Sequence, residues 1–75
     1  MVDLTDKQRL VGKFIRKFTS DHSFPPSFRE VAWHFGFSLK TASDYICVLE
    51  KKGYLTRVHK ISRSLVMTEK FNGEI

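Results

Sequence analysis

Residues 23–57 read SFPPSFREVAWHFGFSLKTASDYICVLEKKGYLTR, and they carry the signals of two short helices joined at a glycine. Ser27 followed three residues later by Glu30 is a capping box, in which the serine hydroxyl accepts from the third helical amide and the glutamate reaches back to the cap amide. A helix is therefore predicted to start at Phe28. Gly36 suits the left-handed conformation that ends many helices, so this helix is predicted to be short.

A second capped helix is predicted to follow within a few residues. Ser38 is its cap, and Gly53 closes it. Its apolar stripe at helical spacing consists of Ala42, Tyr45, Ile46 and Leu49. Two short helices so tightly joined must cross steeply, because the apolar face of each has to reach a shared core. The segment therefore predicts a helix-turn-helix.

The flanking segments complete the predicted fold. Thr5 and Gln8 form another capping box, which opens an apolar helical stripe that runs to about Ser20. Downstream, the β-rich runs 54–58 and 64–68 are separated by a polar segment, which predicts a hairpin. A hairpin directly behind a helix-turn-helix is a wing.

These elements define the expected fold class and domain organisation. The fold is expected to be mostly α with a small β-hairpin, as a three-helix winged helix-turn-helix. This domain is expected to occupy residues 1–68. Residues 69–75 show no periodicity, and we expect them to form a flexible C-terminal tail.

Composition limits the classes of function. The chain has 75 residues, which is one small domain, with 13 Lys and Arg against 8 Asp and Glu. The resulting net charge of +5 suits a polyanionic partner. The single cysteine cannot form an internal disulfide, and neither a signal peptide nor a membrane-spanning stretch is evident, so we expect a cytoplasmic protein. No zinc spacing, phosphate loop or nucleophile motif is found, so we expect no metal, no cofactor and no enzyme activity.

The helix predicted from Leu39 to Lys52 has a polar row opposite its apolar stripe, and a major groove would meet that row. The N-terminal residues of a recognition helix usually contact base edges. The predicted base contacts are Ser38, Lys40, Thr41, Ser43 and Asp44. The alternative interpretation of this row is an ordinary solvated helix face.

Phosphate and wing contacts are predicted from basic residues and from the unpaired backbone amides at the start of one helix. The amides at the start of the helix behind Ser27 can hold a phosphate, and basic residues at the hairpin tip favour a narrow minor groove. The predicted residues are Ser27, Arg29, Lys51, Lys52, Lys60 and Arg63. Capping alone for Ser27, and a merely polar turn around Lys60 and Arg63, are the competing interpretations.

With these residues in place, the chain resembles the N-terminal DNA-binding domain of the LexA repressor family, from Leu4 to about Met67. The resemblance rests on LTDKQ at 4–8, FPPSFREV at 24–31, the Gly-Phe turn and LEKKGYL at 49–55. It implies a winged domain that binds palindromic operators as a dimer. Two departures stand out: the turn region is one residue shorter, and the few residues after Met67 leave no room for the family's self-cleaving serine-lysine protease domain, so we expect no self-cleavage by this chain, whether it is a fragment or a complete small regulator.

The function expected from the residues and the resemblance is a sequence-specific double-stranded DNA-binding transcription regulator that associates with the nucleoid. A LexA-like repressor domain of a phage or mobile element is one form that this hypothesis takes. The expected partners are double-stranded DNA with a palindromic operator and a second copy of the chain on that DNA, with no membrane. An alternative is a winged-helix module that binds a protein partner, such as a regulator or replication factor. A weaker alternative is an architectural role in replication or recombination.

Overall fold

The computed structural model describes residues 4–61 and 63–74. The helices and strands, in chain order, are α1 (Asp6–His22), α2 (Phe28–Phe35), α3 (Leu39–Lys51), β1 (Leu55–Thr56), β2 (Val66–Met67) and a 3-10 helix (Glu69–Glu74). This architecture of three helices followed by a two-stranded antiparallel sheet confirms the predicted winged helix-turn-helix.

The predicted capping boxes set the helix starts. The Ser27 hydroxyl accepts from the Glu30 amide at 3.2 Å, and the Glu30 carboxylate accepts from the Ser27 amide at 2.8 Å. Gly36 has a φ of 71° and ends α2, as predicted. Helix α1 runs two residues past the predicted Ser20, to His22, before Ser23 closes it in the left-handed conformation.

One apolar core joins all three helices and the sheet. Helix α1 contributes Val11 and Ile15, α2 contributes Val31, and α3 contributes Ile46 and Leu49, and all five are completely buried. Each of these side chains lies on the stripe that the helical spacing predicts. Burial of the stripe on α3 fixes which of its faces points to solvent.

The hairpin is shorter than its sequence suggests. Leu55 pairs with Met67 and Thr56 with Val66, so only two residues of each predicted five-residue run form strand. Beyond Thr56 the Ser64 side chain replaces the backbone pairing: its hydroxyl accepts from the Val58 amide at 3.0 Å and lies 2.9 Å from the Ile61 carbonyl oxygen. A side chain inserted between two strands ends their ladder.

The segment expected to be a flexible tail is instead packed against α1, so that expectation is wrong. Phe71 in the 3-10 helix is completely buried and is part of the core. The guanidinium group of Arg16 lies 5.1 Å from the Phe71 ring centre and donates to the Asn72 side chain. Phe71 is the buried aromatic residue of this segment among the described residues, and one such residue forms no periodic pattern from which the packing could be predicted. Residue 75 lies outside the described residues.

Gly12 is the counterpart of Phe71 on α1. A Cβ atom at position 12 would lie only 2.5 Å from Cζ of Phe71, so the ring occupies the space that any other side chain would need. Glycine within a helix normally costs stability because of its conformational freedom. Here the missing side chain creates the site into which the C-terminal segment packs.

We expect the effect of Gly12→Ala on folding stability to have opposite signs in the wild type and in a Phe71→Ala background. In the wild type it should destabilise the fold by about 1–3 kcal/mol because the ring must move. Phe71→Ala alone should cost about 3–5 kcal/mol. In the Phe71→Ala background, Gly12→Ala should stabilise by about 0.5–1 kcal/mol, because alanine is the better helix former. Denaturant unfolding of the four proteins measures the cycle, and additive effects would contradict it.

Candidate nucleic-acid interface

The outer face of α3 carries charged residues that are open to solvent. Lys40 and Asp44 form an ion pair with Nζ and Oδ2 at 3.6 Å, and their side chains are 85% and 67% exposed. Lys51 is exposed near the end of the same helix, and Cys47 between them is half-buried. The predicted outward orientation of this row is confirmed by the burial of Ala42 and Ile46 behind it.

The first turn of α3 uses two of its predicted base-contacting hydroxyls internally. Ser38 is the helix cap, and its hydroxyl accepts from the Thr41 amide at 3.1 Å. The Ser38 Oγ and Thr41 Oγ1 atoms are 3.0 Å apart and hydrogen-bonded. Ser43 is half-buried on the flank of the helix. Contacts to bases by Ser38, Thr41 and Ser43 remain predictions.

A groove opens between the start of α2, the start of α3 and the wing. Basic side chains border it, and none of the described residues that line it carries a carboxylate. The basic lining residues are Arg29, Arg57, Lys60 and Arg63. Apolar side chains of Leu39, Val58 and Ile61 lie between them and are each more than half exposed. The groove is therefore lined by basic and apolar side chains together.

Arg63 does not project from the hairpin tip, where the sequence suggested a groove contact. Its backbone is left-handed, with a φ of 57°, and its side chain folds back on α2. Nη1 donates to Glu30 Oε1 at 2.7 Å and to the Pro25 carbonyl at 3.3 Å, and the guanidinium lies 4.9 Å from the Phe24 ring centre. Arg63 therefore holds the wing against the helix-turn-helix. Its side chain is still 42% exposed toward the groove side.

Arg57 holds the wing against α3. Sequence reasoning counted it among the clustered basic residues of a DNA footprint but assigned it no individual contact. Its Nε donates to Glu50 Oε1 at 3.1 Å, and its guanidinium lies 5.1 Å from the Phe28 ring centre on α2. The second Glu50 oxygen lies 3.2 Å from Nε2 of His59 in the wing. No sequence signal pairs these residues, because Glu50 and Arg57 come together only through the turn at Gly53.

These contacts lower the pKa values of both Glu30 and Glu50. The backbone amide of Ser27 lowers the pKa of Glu30, partial burial opposes that effect, and Arg63 lowers it further. Partial burial raises the pKa of Glu50, but hydrogen bonds from Arg57 and His59 outweigh it and leave the pKa below the ordinary value. Both carboxylates are therefore charged at neutral pH and attract the wing.

The remaining predicted phosphate contacts fall into two places. Ser27, Arg29 and Lys60 lie with Arg63 around the groove. Lys51 and Lys52 lie at the other end of α3, outside the groove lining, and the Lys52 carbonyl accepts from Lys70 Nζ at 2.7 Å. The structure thus gathers one group of predicted contacts beside the first turn of α3 and leaves the other at its last turn.

A capped helix pair with an outward charged row, flanked by a wing and a basic groove, defines the class of winged helix-turn-helix DNA-binding domains. The LexA DNA binding domain family matches residues 1–64, and the chain belongs to that family.

Relatives of the chain include three LexA repressors. The protein of Leptospira interrogans (serogroup Icterohaemorrhagiae, serovar copenhageni) is 43% identical over 65 residues, which are 87% of this chain and 32% of the relative. That of Myxococcus xanthus is 42% identical over 71 residues, 93% of this chain and 32% of the relative. That of Thermotoga maritima is 37% identical over 75 residues, which are 100% of this chain and 38% of the relative. The chain spans about a third of these relatives' length.

The described residues include neither a membrane-spanning helix nor a metal-binding cluster. None of the helices within 4–61 and 63–74 has the length and apolar character needed to cross a membrane. In the same ranges, no group of three or more His, Cys, Asp or Glu side chains is placed to hold a metal ion.

The lowered pKa of Glu30 predicts a specific acid sensitivity. Because the folded-state pKa lies below the unfolded value of about 4.3, the ionised carboxylate stabilises the fold above that pH, and this stability is lost as pH falls through the folded pKa. We expect the stability difference between wild type and Glu30→Gln to be constant near neutral pH and to shrink below about pH 4.3. Chemical unfolding across a pH series measures it.

The Arg63→Gln variant separates the contribution of the pair from that of the helix cap. In its background, Glu30→Gln should still destabilise, because glutamine can keep the capping hydrogen bond but removes the negative charge from the positive start of α2, and the loss should be smaller than in the wild type. A stability difference between wild type and Glu30→Gln that stays constant down to about pH 3 would contradict the interpretation.

Proposed function

We propose that this domain binds a specific double-stranded DNA sequence with α3 in the major groove, and that it represses transcription as part of a LexA-like regulator. The observation that carries the proposal is the position of the basic groove directly beside the first turn of α3. A DNA strand that leaves the major groove at α3 would meet Arg29 and Lys60 at once.

Base recognition would depend on the exposed row of α3. The Lys40 ammonium is suited to donate to guanine N7 and O6, and the Asp44 carboxylate is suited to accept from a cytosine amino group. Their ion pair holds the two side chains side by side, one turn apart on the helix. The Thr41 methyl group is suited to a thymine methyl group, and Ser38 and Ser43 offer hydroxyls to bases of either type.

We further propose that two copies bind a palindromic operator in the nucleoid of the cytoplasm, on half-sites about one helical turn apart. The support is the family membership, in which the relatives are LexA repressors. Selection of bound duplexes from a random pool tests the proposal directly. It should return an inverted repeat, and a pool that shows no sequence enrichment would refute sequence-specific binding.

The logarithm of the affinity for the selected duplex should fall linearly with the logarithm of the salt concentration, because lysine and arginine side chains that bind phosphates release the counterions held there. We expect Arg29→Ala and Lys60→Ala each to reduce the salt slope by about 1 and to leave the preferred sequence unchanged. Lys13→Ala on α1, an exposed lysine outside the groove, is the matched control. A mobility-shift titration in salt measures the slopes, and equal losses for Lys13 and Lys60 would exclude a localised phosphate site.

Lys40→Ala should relax the preference at one or two base pairs, at a cost of about 1–3 kcal/mol on the preferred duplex. Lys17→Ala is a closely matched control, because Lys17 also pairs with an aspartate four residues later, at 3.4 Å, and is 78% exposed. Ser43→Ala should likewise relax the preference without unfolding the domain. Competition binding to single-base variants of the duplex gives the preferences, and an unchanged profile for Lys40→Ala would exclude it as a base contact.

A further inference from the structure

Leu39 is the first residue of α3, and it is a large apolar side chain left 52% exposed. It borders the basic groove, between Arg29 on α2 and Lys60 on the wing. Sequence reasoning assigned Leu39 no contact. Its spacing to Ala42 and Ile46 puts it in line with the apolar stripe, but as the first residue of the helix it is left half exposed. An exposed leucine in this position neither fills the core nor binds phosphate, so its surface is available for another apolar group.

The major groove of DNA offers one apolar group of this kind. Base edges there present hydrogen-bond donors and acceptors, with the 5-methyl group of thymine as the apolar exception. The N-terminal residues of a recognition helix are the ones that reach base edges. In this first turn the Ser38 hydroxyl already donates to the Thr41 hydroxyl and accepts from the Thr41 amide.

We propose that Leu39 packs against the methyl group of a thymine and thereby sets a preference for a T·A pair at one position of the bound site. The inference rests on the proposed function, because it requires the first turn of α3 to enter the major groove. It adds a second apolar contact, besides the one proposed for the Thr41 methyl group, to a set that otherwise consists of hydrogen bonds and phosphate contacts.

Replacement of thymine by deoxyuridine tests the contact, because it removes only the methyl group. Each thymine of the duplex selected by the wild-type protein is replaced singly, and dissociation constants are measured by mobility shift. At one position the wild type should lose about fourfold in affinity, the factor that corresponds to burying one methyl-sized group. Leu39→Ala and Leu39→Gln should bind the thymine and deoxyuridine duplexes equally well.

Leu10→Ala is the matched control for the loss of an exposed leucine. Leu10 is 49% exposed on α1 and lies outside the groove, so this variant should keep the wild-type response to deoxyuridine. Thermal melting checks that each variant is folded, and the glutamine variant retains most of the side-chain length if the alanine variant unfolds.

The outcomes separate this inference from the proposed function. A wild type that selects a DNA sequence but tolerates every deoxyuridine would overturn the thymine contact and leave the proposed function in place. The same holds if Leu39→Ala and Leu39→Gln keep the fourfold discrimination, or if they weaken both duplexes while the discrimination persists. A wild type that selects no sequence would overturn both.

Discussion

Three short helices share a single apolar core, and the remainder of the structure depends on this constraint. Ile15, Val31 and Ile46, one from each helix, are all completely buried. In so small a domain each helix can bury its stripe only against this shared core, which fixes the rotation of the helix about its axis. The outward row of α3 is therefore a consequence of the core. The face proposed to read DNA is therefore positioned by buried residues on its opposite side.

The wing depends on that framework in turn, through two arginine–glutamate pairs. A hairpin with two residues in each strand is not stable alone. Here Arg63 reaches Glu30 on α2, and Arg57 reaches Glu50 on α3, and each guanidinium also lies over a phenylalanine ring. The pairs are partly exposed, so their contribution is chiefly one of orientation rather than of large stabilisation. They hold the wing beside the groove, and they show that basic residues near the proposed DNA surface have structural partners.

The 3-10 helix Glu69–Glu74, at the C-terminal end of the described residues, completes the core through Phe71. Phe71 occupies the space above Gly12, while Thr68 donates its amide to the Tyr54 carbonyl at 2.9 Å and its hydroxyl to the Gly53 carbonyl at 2.7 Å. These bonds anchor β2 beside the end of α3. The segment that follows the wing thus stabilises the wing, and the position of the groove reflects contacts made on both sides of the sheet.

Local chemistry in the sequence determined the helix starts, the turn at Gly36, the inward stripes and the outward row of α3, because caps and periodicity act within a few residues of chain. Tertiary structure alone decided the pairs Arg57–Glu50 and Arg63–Glu30, the seat of Phe71 over Gly12 and the exposure of Leu39 beside the groove. Arg63 and Lys60 look equivalent in sequence, yet one is held by a carboxylate 33 residues away and the other is exposed. Such differences depend on which distant segments the shared core brings together, and no local pattern records them.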